Sequence, residues 1–235
     1  MNDRVSHEPT EDRRAIVRDS LGVGFATGLY GVSFGAVSVA SGLSVAQTCV
    51  LSLLMFTGAS QFALVGVVAS GGSAFSAGLT ALLLGTRNTL YGLRLAPLLA
   101  WSRRQRVGAA HLLIDESTAM SVTRTSREGA RTGFLVTGGT IFALWNLFTF
   151  LGAVGGSAIG DPRIYGLDAA VGGAFLALLW PRLSEPRNRL VAVLAVAVAL
   201  GVVPVAPAGV PVLAAGGVAL LVGVLSRGPT EEAAA

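Results

Sequence analysis

The sequence predicts an all-α, polytopic membrane protein, and three observations carry that reading. Hydrophobic residues make up 52% of the chain and charged ones only 13%, about half the charged share of an ordinary soluble domain. Mean hydropathy is +0.68. The apolar residues fall into long runs, and most of the arginines stand in the connections between them. In hydrocarbon a backbone must satisfy its own hydrogen bonds, so such runs are expected as helices.

All 17 Lys/Arg positions are arginine, giving a net charge of +4 and a pI near 10.2. Because most arginines stand between apolar segments rather than in one patch, they read as determinants of topology and not as a nucleic-acid footprint. The single cysteine, Cys49, sits in an apolar run and can form no internal disulfide. The first 20 residues are polar, and Arg13, Arg14 and Arg18 lead directly into apolar sequence, so no cleavable signal peptide is expected.

Residues 1–18 are expected as a cytoplasmic polar tail, 19–227 as one transmembrane domain and 228–235 as a polar C-terminal tail. The first span, Leu21 to Ser41, carries Gly24, Gly28, Gly31, Gly35, Ser38 and Gly42 in one stripe of small residues down a helix. Such a stripe lets another helix backbone approach closely; a substrate path is the alternative. Val45 to Ser70 is long enough to cross, but Gly58-Ala59-Ser60-Gln61 interrupts it near its middle. Gly72 and Ser73 turn into an apolar run from Ala74 to Trp101, an interfacial anchor by type. After Arg103, Arg104 and Arg106 comes Val107 to Val122, short and partly apolar, holding His111, Asp115 and Glu116. Beyond Arg124, Arg127 and Arg131, a span is expected over Thr132 to Ile159, with a turn at Asp161-Pro162-Arg163 and a short span over Leu167 to Pro181. Arg182, Arg187 and Arg189 mark another basic loop before a last pair, Leu190 to Val203 and Gly209 to Ser226.

Placing arginine-rich connections on the cytoplasmic side fixes the topology. One crossing per run would put Arg103 to Arg106 outside. If Val45 to Ser70 dips in and returns, and Val107 to Val122 also fails to cross, about six full spans and two broken or re-entrant elements remain, with both termini inside. A broken 74–101 helix would satisfy the charges equally well. Irregular backbone at such depth is tolerated only against protein or a water-filled cavity, and transporters place their sites there.

Arg87 is the organising residue. It stands roughly 20 Å from either end of its run at 1.5 Å per residue, in mid-bilayer, where an arginine must face an interior and find an anion. Arg94, nearer the Trp101 end, can extend its stem to the interface. Three partners are open to Arg87: a neighbouring carboxylate, carbonyls at a helix end, and an anionic group of a substrate. Asn88 is adjacent and Tyr91 one turn on, so polar groups cluster at that level. Gln61 could bond across helices or hold substrate together with Gly58 and Ser60, since the freed N–H groups of a broken helix suit a carboxylate. Asp115 and Glu116 are about 100° apart on a helix, which favours one as a functional acid, for protons or an ammonium group, and the other as an arginine's partner. The alternative is an amphipathic surface element paired to Arg103 to Arg106. His111 could couple to Asp115, and Asp168 reads as a helix N-terminal acid. No metal constellation, P-loop or nucleophile elbow is present, and Ser60 with His111 is a chance pair rather than a protease dyad, so no enzyme, metal or cofactor is expected.

Gly58-Ala59-Ser60-Gln61-Phe62, Thr86-Arg87-Asn88-Thr89-Leu90-Tyr91-Gly92, Leu113-Ile114-Asp115-Glu116, Trp145 to Gly152 and Tyr165-Gly166-Leu167-Asp168 occur in that order. On these residues the chain resembles the AzlC family, large subunits of branched-chain amino acid exporters. The resemblance runs over about residues 20 to 225. It implies a secondary transporter of the cytoplasmic (inner) membrane exporting valine, leucine, isoleucine and perhaps methionine, with a small AzlD-like membrane partner. The rival reading is a non-transporting membrane scaffold subunit; Arg87 and Asp115, charges a scaffold does not need at mid-membrane, argue against it.

Overall fold

The computed structural model describes residues 12–158, 176, 179–207 and 209–225. The expected turn at Asp161 to Arg163, Asp168, almost all of the 167–181 span, residues 1–11 and the C-terminal tail lie outside them, whereas residues 13–18 of the expected N-terminal tail already belong to the first helix, which Asp12 caps through its side chain. The described residues are helical, with no strand among them. In chain order the helices are α1 (Arg13–Leu29), α2 (Gly31–Ala40), α3 (Val45–Leu54), α4 (Ala59–Ala69), α5 (Ala74–Leu99), α6 (Arg103–Ala110), α7 (Asp115–Val122), α8 (Arg127–Ala158), a short 3-10 turn (Trp180–Ser184), α9 (Pro186–Val202) and α10 (Val210–Leu225). Among the described residues, two stretches are long and apolar enough to cross a membrane, Arg13–Ala40 at 28 residues and Arg127–Ala158 at 32.

The chain divides into two compact units. The first takes in residues 12–36, Val45–Thr57 and Gly85–Gly155; the second takes in Val37–Ser44, Gly58–Leu84 and the described residues from Gly156 on.

In the first unit α1 and α2 run as nearly one rod, because Tyr30 between them keeps helical backbone angles. The glycine stripe packs on α8. A Cβ at Gly24 would stand 2.5 Å from the Thr140 side chain, at Gly28 2.5 Å from Leu144 and at Gly31 2.5 Å from the Trp145 carbonyl, while at Gly35 it would strike the Thr149 carbonyl. From α8, Gly152 answers against the backbone of Val32. Contacts advance in the same direction along both helices, so α1–α2 and α8 are parallel. Beyond the glycines, Trp145 lies 6.1 Å from the Phe34 ring and 6.4 Å from that of Tyr30.

The end of α5 meets the beginning of α8. Ala100, at φ 44°, leaves the helix in a left-handed turn. There Arg131 donates from Nε to the Leu99 carbonyl at 2.8 Å and from Nη2 to that of Ala100 at 3.1 Å, satisfying acceptors that a helix end leaves free. Leu95, Leu99, Ala130 and Phe134 are buried together, with Trp101 edge-on to Phe134. Since α1 is parallel to α8, Arg13, Arg14 and Arg18 lie toward the same end of this unit as Arg103 to Arg106 and Arg124 to Arg131.

Helices α6 and α7 make a short hairpin from that end. Ser102 and Gln105 cap α6 reciprocally, Ser102 N–H to Oε1 at 2.9 Å and Gln105 N–H to Oγ at 3.4 Å. The tip, residues 111–114, reaches Gly138 and Phe142 of α8: Leu112 abuts Gly138, and the His111 ring is 5.3 Å from Phe142. Helix α7 then returns, with Met120 against Gly133 and Ser121 Oγ donating to the Ala130 carbonyl at 3.2 Å.

In the second unit, α4 buries Ser60, Gln61, Phe62, Ala63, Val65 and Val67, and α9 packs on α10. Gly209, at φ +95°, closes on Ser76 and Val67, and Gly216 on Leu83.

Candidate functional site

Helix α3 stops at Leu54 and α4 starts at Ala59, so the run over Val45 to Ser70 is interrupted at residues 55–58. Ala59, Ser60 and Gln61 are not the break but the first turn after it. Gly58 holds φ +58° and ψ −89°, a conformation open to glycine and strained for a side chain. Its N–H donates to Oε1 of Gln61 at 3.0 Å, and its carbonyl accepts from Phe62 N–H at 3.1 Å. Gln61, the third residue of α4, therefore reaches back to its N-cap, Gly58; it is fully buried, and its Nε2, like Ser60 Oγ, has no partner among the described residues. A polar amide in an apolar run is explained by that cap.

Arg87 lies in the part of α5 that belongs to the first unit. Its Nη1 pairs with Oδ2 of Asp115 at 3.0 Å, and Nη2 makes a longer contact of 3.4 Å to the Thr57 carbonyl. The side chains are 25% and 34% exposed, so the pair is sheltered but not dry. Asn88, the next residue, donates from Nδ2 to the Leu113 carbonyl at 3.2 Å. One turn of α5 thus grips the hairpin tip twice, by its acid and by its backbone, and Gly92 lets the Leu113 side chain come to within 3.4 Å of where a Cβ would stand.

The tip is braced from within. Ser117 Oγ donates to the Leu112 carbonyl at 2.7 Å and accepts from Ile114 N–H at 3.1 Å, which fixes the entry into α7 and aims Asp115, its first residue. On the other side His111 Nε2 stands 2.8 Å from the Leu53 carbonyl, one of the free acceptors at the end of α3, with Phe56 packed at 6.2 Å from the imidazole and edge-on to Phe142. Two interrupted elements, the end of α3 and the α6–α7 tip, therefore converge on Arg87. Phe142 is roughly 20 Å into α8 at 1.5 Å per residue, so the convergence is near that helix's middle.

Of the residues singled out from sequence, Arg87, Asn88 and Asp115 come together. Tyr91 lies one turn along α5, half-buried; Arg94 is exposed. Glu116 is adjacent to Asp115 but forms no ion pair among the described residues. Gly24, Gly28, Gly31 and Gly35 face α8. Gly58, Ser60 and Gln61 belong to the second unit. Leu113, Ser117, Leu53 and Thr57 were not legible as site residues, since three of them act through backbone carbonyls that no side-chain pattern announces. Arg87 Nε, Asn88 Oδ1, Asp115 Oδ1 and Thr57 Oγ1 are buried without a hydrogen-bond partner among the described residues. Among those residues, no group of three or more His, Cys, Asp or Glu could hold a metal ion.

The described residues are helical, two of their helical stretches have the length and apolarity of membrane spans, and a charge pair lies where interrupted elements meet. The AzlC protein family matches residues 22–159, more than half of the chain, and the chain belongs to that family. It is also 28% identical over 172 residues to the Inner membrane protein YgaZ of Escherichia coli (strain K12), an alignment covering 70% of this chain and 66% of YgaZ. No solved structure matches.

Proposed function

We propose that the chain is a multi-pass transporter of the inner membrane that exports branched-chain amino acids, working with a small AzlD-like membrane partner. The observation that carries this reading is the Arg87–Asp115 pair, opposite charges 3.0 Å apart in a place where two interrupted elements meet. An α-amino acid presents a carboxylate and an ammonium on one carbon, so it can address both members. Arg87 takes the carboxylate and Asp115 the ammonium; Glu116 stays available for a proton. The aliphatic tail needs only apolar surroundings, and one methylene separates rivals by only about 1–3 kcal/mol, so valine, leucine and isoleucine are expected together, with methionine following. Substrate class, export direction and partner rest on the family resemblance; the chemistry of the pair supports the substrate class alone.

In this reading the chain has about six full crossings and two re-entrant elements, Val45 to Ser70 and the α6–α7 hairpin, and works by alternating access driven by the membrane potential or protons. A scaffold subunit is the rival, favoured by one observation: Arg87 already has an internal anion and needs no substrate to be neutralised. Efflux of labelled valine from preloaded cells decides between them, measured with this chain alone, the partner alone and both. Export that requires this chain is expected. Export by the partner alone, unchanged by adding this chain, overturns the transporter reading.

A further inference from the structure

The Arg87–Asp115 pair leaves complementary atoms unused. Nη1 and Oδ2 hold it together, whereas Nε of Arg87 and Oδ1 of Asp115 are buried without partners, and Nη2 makes only the 3.4 Å contact to the Thr57 carbonyl. A guanidinium offers flat two-point edges to a carboxylate, and the edge made by Nε and Nη2 is not the one that Asp115 occupies. The ionised Asp115 carboxylate is an acceptor only, so its spare Oδ1 suits a cationic donor.

Resting on the amino-acid reading above, we infer that this pair is a selectivity device that admits zwitterions and refuses their singly charged relatives. The pair itself has no net charge. A zwitterion brings an anion to the Nε/Nη2 edge and a cation to Oδ1, so four charges alternate and the sum stays zero. The matching 2-oxo acid brings only the anion, which leaves the centre at one net negative charge with Oδ1 still unmatched. The matching amine leaves the opposite excess at Nε. A sheltered site discriminates by such stranded charges more sharply than by shape, because an uncompensated charge has neither partner nor bulk water. The pair is one-quarter to one-third exposed, which screens part of the penalty. The expected discrimination is therefore at least about tenfold rather than the larger factors of a dry site. Asn88 belongs to the device as a positioning residue, because its hold on the Leu113 carbonyl keeps Asp115 opposite Arg87.

The test uses the full-length chain and labelled leucine, displaced by unlabelled leucine, by 4-methyl-2-oxopentanoate and by 3-methylbutylamine. On the unaltered protein the oxo acid and the amine should displace at least about tenfold less potently than leucine. Asp115→Asn should narrow the gap for the oxo acid and Arg87→Gln the gap for the amine, each read as a ratio within one preparation so that lost protein cannot imitate the effect. If a variant does not assemble, the unaltered protein decides alone. An oxo acid within about twofold of leucine overturns this inference while leaving the substrate reading intact. Leucine that does not bind at all overturns the substrate reading and this inference together.

Discussion

A guanidinium is held by whatever anion reaches it, and Asp115 reaches Arg87 because its neighbours fix the segment that carries it. Ser117 braces the tip from inside, and Asn88 and His111 tie it to α5 and α3. Removing one member of the pair strands the other, at about 1–3 kcal/mol for a site this exposed. Arg87→Gln and Asp115→Asn are therefore expected each to lower the amount of folded protein, and the double change to restore it. Valine efflux should stay lost in all three, because in the proposed function both charges address the substrate. Protein level by immunoblot and efflux are read separately, and recovered efflux in the double variant would make the pair purely structural. The sequence alone identified Arg87 by its depth and narrowed its carboxylate to Asp115 or Glu116. It could not choose, since adjacent residues point about 100° apart and the choice is made by the hydrogen bonds of the tip.

At the scale of elements, the glycines of α1–α2 and the break before α4 make opposite demands on side chains. At Gly35 even a methyl group meets the Thr149 backbone, whereas at Gly22, on the same helix rod, nothing lies within 4 Å. Gly35→Ala should destabilise by about 1–3 kcal/mol through overpacking, while Gly22→Ala should not destabilise at all. Thermal unfolding of both variants in detergent is the measurement; equal melting temperatures would mean that the stripe is not a packed seam. The stripe was legible because helical spacing needs no knowledge of the partner, but the partner, α8, lies more than a hundred residues on. At the break, Gln61→Leu keeps the volume near constant and removes the cap on Gly58 N–H, which costs about 1 kcal/mol. Gly58→Ala should cost at least as much through its positive φ, and both losses are measured by the same unfolding experiment. Composition located this break only to within a few residues, because Gln61 reads as an interruption although its amide starts the next helix.

For the whole molecule, the arginines decide which way the chain faces. Parallel packing of α1–α2 on α8 puts Arg13 to Arg18 and Arg127 toward one end of the first unit, and the Arg131 contacts to Leu99 and Ala100 bring the end of α5, and with it Arg103 to Arg106, to that same end. If that end is cytoplasmic, α1–α2 leads outward, α5 returns, the α6–α7 hairpin enters and comes back, and α8 leads outward again. An odd number of further crossings between α2 and α8 is then required. With α5 as one of them, the proposed reading leaves the interrupted α3–α4 run without a net crossing. The sequence allowed this count beside one in which the 74–101 helix is the broken element; the unbroken 26-residue α5 and the gap at 55–58 favour the first. With Cys49 replaced by serine, Ser102→Cys is expected to resist an impermeant thiol reagent on intact cells and to react after permeabilisation. Ser44→Cys, beyond the far end of α2, is expected to react without permeabilisation. Rapid labelling of Ser102→Cys from outside would mean that α3–α4 crosses fully, with the arginines of α6 standing against the charge rule.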